Sequence, residues 1–196
     1  MSPENPPKGK LVLLRHGETE WSKSGQHTGL TDLPLTAHGE ELAQAAGSLL
    51  GGYDFGLILA SPLQRAARTA ELAGLHAETD PDLVEWDYGS AEGRTTKEIR
   101  AELGSDWAVF THGGQPRAAP GAQVEEVAAR MSRIIAKAMP VLAERDVALI
   151  GHGHALRILT TVWLRQEVRF AAQLLLDAGS VSVLQYDKEF PSVRTW

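Results

Sequence analysis

The amino-acid sequence predicts an α/β domain, a three-layer α/β/α sandwich with a mostly parallel central sheet. Three short apolar runs, at residues 11–14, 55–60 and 147–150, have the length and aliphatic content of strands buried on both faces. Helical patterns separate these runs, which is the order that produces parallel strands. A length of 196 residues with 43% hydrophobic and 22% charged residues fits one globular domain with a sizeable core.

The elements of the first half follow from caps and breakers. Residues 1–9 are rich in proline and polar side chains and are expected to form a flexible lead-in to a single domain spanning 10–196. After the first strand, glycine, proline and hydroxyl residues predict a loop over 17–35. A threonine N-cap predicts a helix over 36–50. Serine and proline then predict a second helix over 62–73.

The second half contains the expected rim of the site. Residues 86–121 carry several glycines and prolines and are interpreted as a rim or lid segment. Apolar residues at helical spacing predict the longest helix over 123–142. A further helix is expected over 155–164, and alternation over 181–186 predicts a closing strand.

Composition excludes several classes of partner. A net charge of −6 and a pI near 5.6 argue against a protein that holds nucleic acid or a membrane surface by bulk electrostatics. The chain has no cysteine, so it has neither disulfides nor thiolate metal sites. No apolar run has the length of a signal peptide or a membrane span, and we expect a cytoplasmic protein. A homodimer is compatible with the patterns but not required by them.

Polar clusters follow directly after the predicted strands. Arg15 and His16 end the first strand, Arg65 follows the second and His152 follows the third. Because the carboxyl ends of parallel strands meet at one edge of a sheet, these side chains are expected to converge there. Guanidinium groups match the oxygens of a phosphoryl group, and helix N-termini add backbone N–H donors. The pattern therefore predicts a phosphate site.

Five ordered blocks give this chain a family resemblance. They are RHGETEWS at 15–22, TGLTDLPLTAHG at 28–39, ASPLQRAARTA at 60–70, LVEWDYGSAEG at 83–93 and IGHGHALRIL at 150–159. In order and content these blocks resemble the histidine phosphatase superfamily, also called phosphoglycerate mutase-like. The resemblance covers residues from about 11 to about 187.

The resemblance also implies roles for individual residues. His16 matches the nucleophile that forms a phosphohistidine, and Arg15, Arg65 and His152 match the groups that hold the phosphoryl oxygens. The residues expected to bind substrate or phosphate are Arg15, Ser22, Thr28, Gly29, Arg65, His152 and Gly153. Ser22 stands where the family usually has asparagine. Neither a metal nor a cofactor is implied.

A carboxylate is needed to protonate the leaving oxygen. Glu85 matches the acid/base residue of the family. In an extended segment Asp87 would face the same side, so position alone leaves both carboxylates open, and the family match favours Glu85.

The function expected from the resemblance is metal-independent hydrolysis of small phosphomonoesters, closest to the broad-specificity acid phosphatases of the family. The alternatives are a phosphoglycerate mutase and a catalytically silent phosphate-binding module. Mutases usually have an arginine after the acid/base glutamate, and this chain has Trp86. Substrate contact by Trp86 and His112 is left open, whereas His27 and His154 are interpreted as surface or packing residues.

Overall fold

The computed structural model describes residues 6–114 and 121–196. The strands are β1 (Leu11–Arg15), β2 (Phe55–Ala60), β3 (Glu78–Thr79), β4 (Asp146–Gly151), β5 (Val181–Asp187) and β6 (Phe190–Thr195). The helices are α1 (Glu20–Ser24), α2 (Ala37–Gly47), α3 (Gln64–Leu72), α4 (Thr96–Leu103), α5 (Val109–His112), α6 (Val124–Leu142) and α7 (Gly153–Trp163). Short 3₁₀ helices lie at Pro81–Leu83 and Val168–Gln173.

The six strands form one sheet in the order β3-β2-β4-β1-β5-β6. The first four are mutually parallel, and β5 and β6 continue the sheet in antiparallel pairing. Ile150 of β4 pairs with Leu14 of β1 on one side and with Ala60 of β2 on the other. This register brings the carboxyl ends of β1, β2 and β4 to the same edge, as predicted.

Helices cover both faces of the sheet, which confirms the three-layer prediction. Leu11 and Leu13 pack in one buried cluster with residues of α6 and α7. Their neighbours Val12 and Leu14 pack in a second cluster with alanines of α2 and α3. Successive side chains of a strand point to opposite faces, so each β1 residue contributes to one core or the other. This explains why the run at 11–14 is apolar at every position.

The predicted loop at 17–35 contains a helix that the sequence analysis missed. Thr19 caps α1, accepting from the Ser22 amide while its own amide donates to Ser22 Oγ. Gly25 ends α1 in the left-handed conformation. The helix has only five residues, too few for an apolar period to show in the sequence.

The structure describes only part of the predicted lead-in and of the predicted rim. Of the predicted lead-in, residues 1–5 lie outside the described residues, whereas the Gly9 amide donates to the Leu142 carbonyl (2.9 Å). Of the predicted rim, residues 115–120 lie outside the described residues. Within residues 6–114 and 121–196, no helix is both long and apolar enough to cross a membrane.

Candidate active site

A cavity of about 260 Å³ opens at the carboxyl edge of the parallel strands. It is lined by Arg15, His16, Ser22, Gly25, Gln26, His27, Thr28, Glu85, Tyr88, Gly153, His154, Arg157 and Leu176. Five residues that the sequence analysis assigned to the site, in addition to His16, are therefore on its wall: Arg15, Ser22, Thr28, Glu85 and Gly153.

His16 is oriented by the backbone of the residue that follows it. Its Nδ1 lies 2.7 Å from the carbonyl oxygen of Gly17. A carbonyl can only accept, so Nδ1 carries the proton and Nε2 keeps its lone pair. Burial, together with the positive charges of Arg15 and Arg65, holds the pKa of His16 well below its ordinary value. The ring is therefore a neutral imidazole whose Nε2 carries a free lone pair.

Gly17 permits a close approach between the end of β1 and helix α2. A methyl group added at Gly17 would lie 2.1 Å from the carbonyl oxygen of Gly39. The Gly17 amide donates to Oγ1 of Thr69 on α3 (3.1 Å). The turn after His16 is thus held between two helices, which limits the movement of the imidazole.

Arg15 presents a buried hydrogen-bond donor to the cavity. One terminal nitrogen donates to the carbonyl of Leu176, while Nε is buried without a partner among the described residues. The guanidinium lies over Gly153, where an added methyl group would sit 3.4 Å from the arginine Cζ. Desolvation by burial lowers the pKa of Arg15, yet an arginine stays protonated. An orphaned cationic N–H beside a cavity fits an incoming anion.

Arg65 and His152 lie beneath the cavity wall, both fully buried. Arg65 Nε donates to His152 Nδ1 (3.2 Å), so this nitrogen is an acceptor. The proton of the neutral ring is then on Nε2, which lies 2.8 Å from Ser61 Oγ. The rings of His16 and His152 meet edge to face with centroids 5.1 Å apart. The predicted convergence of Arg15, His16, Arg65 and His152 is present in the structure.

The remaining N–H groups of Arg65 hold the loop that carries two predicted phosphate ligands. They donate to the carbonyls of Thr31 (2.8 Å), Gly29 (2.7 Å) and Thr28 (3.3 Å). The Gly29 amide in turn donates to Glu92 (2.8 Å), and Gly29 is not on the cavity wall.

Ser22 lies on the cavity wall with its hydroxyl already engaged. Its Oγ donates to the Thr19 carbonyl (3.0 Å) and accepts from the Thr19 amide (2.9 Å). A phosphate oxygen would therefore have to compete with the Thr19 carbonyl for the hydroxyl proton.

Glu85 is held at the N-terminus of α7. Its carboxylate accepts from the amides of Trp86 (2.8 Å), Ala155 (2.9 Å) and His154 (3.0 Å). The carboxylate of Asp87 instead accepts from the Gly89 amide (2.9 Å). Asp87 is not among the residues that line the cavity. Of the two carboxylates that the sequence left open, Glu85 is the one that reaches the cavity.

A family model confirms the relationship that the motif blocks indicated. The model described as histidine phosphatase superfamily (branch 1) matches residues 11–196. This chain belongs to the histidine phosphatase superfamily.

Named members of the superfamily resemble the chain over most of its length. An acid phosphatase of Mycobacterium tuberculosis is 39% identical over 181 residues, covering 91% of this chain and 87% of the relative. A sedoheptulose 1,7-bisphosphatase of Saccharomyces cerevisiae is 34% identical over 211 residues, covering 92% of this chain and 76% of the relative. The solved structure of an open reading frame product from Mycobacterium tuberculosis superposes with a TM-score of 0.90 at 36% identity, covering 96% of each chain.

Part of the cavity wall consists of three ring side chains that the sequence analysis did not assign to the site. His27 stacks on Tyr88 with ring centroids 5.0 Å apart, and the Tyr88 hydroxyl contacts Nδ1 of His154. His27 and His154, interpreted from the sequence as surface or packing residues, do pack against aromatic rings, and with Tyr88 they also line the cavity. Burial lowers the pKa of His27 to about 4 and holds the pKa of His154 well below its ordinary value. This wall is therefore uncharged near neutral pH.

Of three further positions considered for substrate contact, only Arg157 reaches the site. Arg157 lines the cavity, with its Cζ 4.6 Å from the centroid of the Phe110 ring. Trp86 is fully buried, and its indole N–H donates to the Ala122 carbonyl (2.8 Å). His112 is exposed, and its Nδ1 accepts from the Ala108 amide (3.0 Å). Neither Trp86 nor His112 is among the cavity-lining residues.

Proposed function

We propose that this protein is a metal-independent phosphomonoester hydrolase that forms a phosphohistidine intermediate on small phosphorylated metabolites. The observation that carries the proposal is that two residues lining one cavity combine the unprotonated Nε2 of His16 with the buried Nε–H of Arg15, which has no partner among the described residues. A neutral imidazole is a nucleophile, and an orphaned guanidinium donor is a ligand for a phosphoryl oxygen.

In the first step, His16 Nε2 attacks phosphorus and the bond from phosphorus to the ester oxygen breaks. Glu85, in its protonated form, donates its proton to the departing alkoxide. Arg15 stabilises the charge on the equatorial phosphoryl oxygens. Arg65 and His152 lie beneath the cavity wall and are proposed to reach these oxygens by exchanging the hydrogen bonds described above when the anion is bound.

In the second step, water attacks the phosphohistidine. Glu85, now a carboxylate, takes a proton from the water, the bond from phosphorus to His16 Nε2 breaks, and inorganic phosphate leaves. The same carboxyl group thus serves as acid and then as base, as microscopic reversibility requires. The described residues contain no group of three or more His, Asp or Glu side chains placed to hold a metal ion.

Hydrolysis is favoured over mutase chemistry by position 86. A mutase must retain a second anionic group of its substrate, and the side chain after Glu85 is a buried indole rather than a cation. The two relatives described above are named as phosphatases, which supports the same choice.

Phosphoglycerate mutase is the second candidate, and Arg157 is the observation that favours it. This residue supplies a cation to the cavity that the sequence analysis did not anticipate. A catalytically silent binding module is disfavoured, because binding alone would not require both His16 and Glu85 on the wall of the same cavity.

The test is phosphate release from p-nitrophenyl phosphate and from a panel of sugar phosphates, with a chelator present. Wild-type protein should turn over in chelator, and His16→Ala should abolish both turnover and the acid-labile phosphoenzyme trapped by rapid quench. Glu85→Gln should slow the turnover of the sugar phosphates, whose departing alkoxides need a proton, by about 10²–10⁴, the range for loss of a general acid.

The outcomes separate the candidates. Phosphoryl exchange between phosphoglycerates without net hydrolysis would establish the mutase. Absence of turnover, exchange and phosphoenzyme, with phosphate still bound, would establish the binding module. Turnover that a chelator stops would contradict a metal-independent reaction.

A further inference from the structure

Three basic side chains of α6 follow one face of the helix and contact the segment that leads to Glu85. Arg133 forms a bidentate ion pair with Asp82 (2.8 and 2.6 Å), and Lys137 contacts Asp80 (2.5 Å). Both of these cations are exposed. The third member of the row, Arg130, is half-buried and contacts the backbone rather than a carboxylate.

Arg130 donates hydrogen bonds to three backbone carbonyl groups of one short segment. Its NH1 donates to the carbonyls of Asp82 and Val84, both at 2.7 Å, and its NH2 donates to the carbonyl of Glu85 at 3.2 Å. This segment leaves a 3₁₀ turn at Leu83 and passes into the cavity wall without pairing in the sheet. The guanidinium therefore satisfies carbonyl groups that no strand partner satisfies, and it fixes the path of the backbone.

Glu85 is consequently fixed at both of its ends. Amides of α7 hold its carboxylate, and Arg130 of α6 holds its backbone carbonyl. A planar fork of N–H donors is suited to reach several carbonyls at once, which an ammonium group does poorly.

We propose that Arg130 is a positioning residue for Glu85, setting the acid/base carboxyl group against the leaving oxygen. This inference rests on the proposed hydrolase function. Arg130 does not line the cavity and acts only through the segment 82–85. Misplacing a catalytic group by about 1 Å can cost 10²-fold in rate. Removal of the Arg130 guanidinium should therefore slow the chemical step.

The choice of leaving group distinguishes positioning from a general structural role. An alkoxide needs a proton from Glu85 as it departs, whereas p-nitrophenolate departs with little protonation. Misplacing Glu85 should therefore slow the hydrolysis of glycerol 2-phosphate much more than that of p-nitrophenyl phosphate. A loss of folded protein would lower both rates equally.

The experiment compares kcat/KM, which reports the step in which the leaving group departs, on these two substrates for wild type, Glu85→Gln, Arg130→Gln, Arg130→Lys and Arg133→Gln. Arg133→Gln is the matched control, because Arg133 is an exposed cation one turn along the same face that binds the side chain of Asp82 and no backbone carbonyl of the segment. We expect Arg130→Gln to lose roughly 10²-fold on glycerol 2-phosphate and less than about 10-fold on p-nitrophenyl phosphate, in the manner of Glu85→Gln. Arg130→Lys should show the same selectivity more weakly, and Arg133→Gln should match wild type.

Several results would overturn the inference while leaving the proposed function intact. One is an Arg130→Gln variant that slows both substrates equally while Glu85→Gln remains selective. Another is an Arg130→Lys variant equal to wild type on both, which would assign the effect to charge alone. If neither Arg130 variant folds, as judged by circular dichroism and thermal unfolding, Arg130 is a folding residue and the inference is wrong. A wild-type protein without turnover or phosphoenzyme would instead refute the proposed function.

Discussion

Arg65 and Glu92 bind the same loop from opposite sides. Arg65 donates to the carbonyls of Thr28, Gly29 and Thr31, while Oε1 of Glu92 accepts from the amides of Gly29 (2.8 Å) and Thr31 (3.0 Å). A cation and an anion therefore satisfy both kinds of backbone group in a segment that forms no sheet or helix pairing. The loop is part of the cavity wall through Thr28, so these two side chains shape the entrance for a ligand.

Glu92→Ala should impair the enzyme without touching the reacting atoms. The change removes the acceptor of two amides, and hydrogen bonds to charged groups contribute about 1.5–3 kcal/mol each. We expect kcat/KM on p-nitrophenyl phosphate to fall roughly 10-fold or more, because the wall at Thr28 loosens. Glu92→Gln keeps an amide oxygen for both donors and should retain most of the activity. Equal kinetics for the alanine variant and wild type would contradict this account of the loop.

The pH dependence should reflect the neutral state of His16. Burial and two neighbouring arginines hold its pKa well below the ordinary value, so the ring stays unprotonated as the pH falls through 6.5. Since the neutral ring is the proposed nucleophile, turnover should persist as the pH falls below 6.5 rather than disappear there. Imidazole ¹⁵N NMR, with His16→Gln used to assign the resonance, measures the titration directly. A His16 ring that protonates at or above pH 6.5 would contradict the prediction.

Gly17→Ala should destabilise the fold because two backbones meet at this position. The added methyl group would lie 2.1 Å from the Gly39 carbonyl oxygen, a contact that neither backbone can relieve by a rotamer change. Overpacking of this kind costs about 1–3 kcal/mol or more. Gly51→Ala is the matched control, since nothing lies within 4 Å of the methyl group it would add. Urea unfolding should show a large loss for the first variant and little change for the second; similar losses for both would refute the argument.

Stability should fall as the pH drops below about 6.5, before the carboxylates titrate. Burial lowers the pKa of His152, His154 and His16, and lowers that of His27 to about 4. In this window the unfolded chain binds protons that the folded chain does not, so each such histidine costs up to about 1.4 kcal/mol per pH unit.

Urea unfolding at pH 7, 6 and 5 measures this slope. His27→Gln removes one titrating group. Between pH 6.5 and about 4, the loss of unfolding free energy should therefore be smaller by up to about 1.4 kcal/mol per pH unit in this variant. The pKa values of Asp54 and Asp82 are lowered in the folded state, so these carboxylates contribute stability above their unfolded-state pKa. That stability is lost only at lower pH, outside the window in which the histidines titrate. If the pH dependence of the unfolding free energy is the same in His27→Gln as in wild type, the lowered pKa of His27 is contradicted.

Much of the fold was predictable because its signals are local. The apolar runs at β1, β2 and β4 and the polar residues directly after them lie next to each other in the chain. Strands that run parallel must bring those residues to one edge, so Arg15, His16 and His152 could be placed together before any contact was known. Elements without a periodic signal, such as α1, were missed for the same reason.

Sequence alone therefore determined four of the six described strands, the edge at which the site lies and the family to which the chain belongs, whereas β3 and β6 were not predicted. Only the tertiary structure decided which groups surround that edge. Arg130 reaches Glu85 from a position 45 residues away, Glu92 reaches Gly29 across 63 residues, and His154 meets Tyr88 across 66. A single arginine, glutamate or histidine on a helix or in a loop has the same local pattern whether it faces solvent or a partner. Its role depends on long-range packing, and no spacing within one segment encodes that.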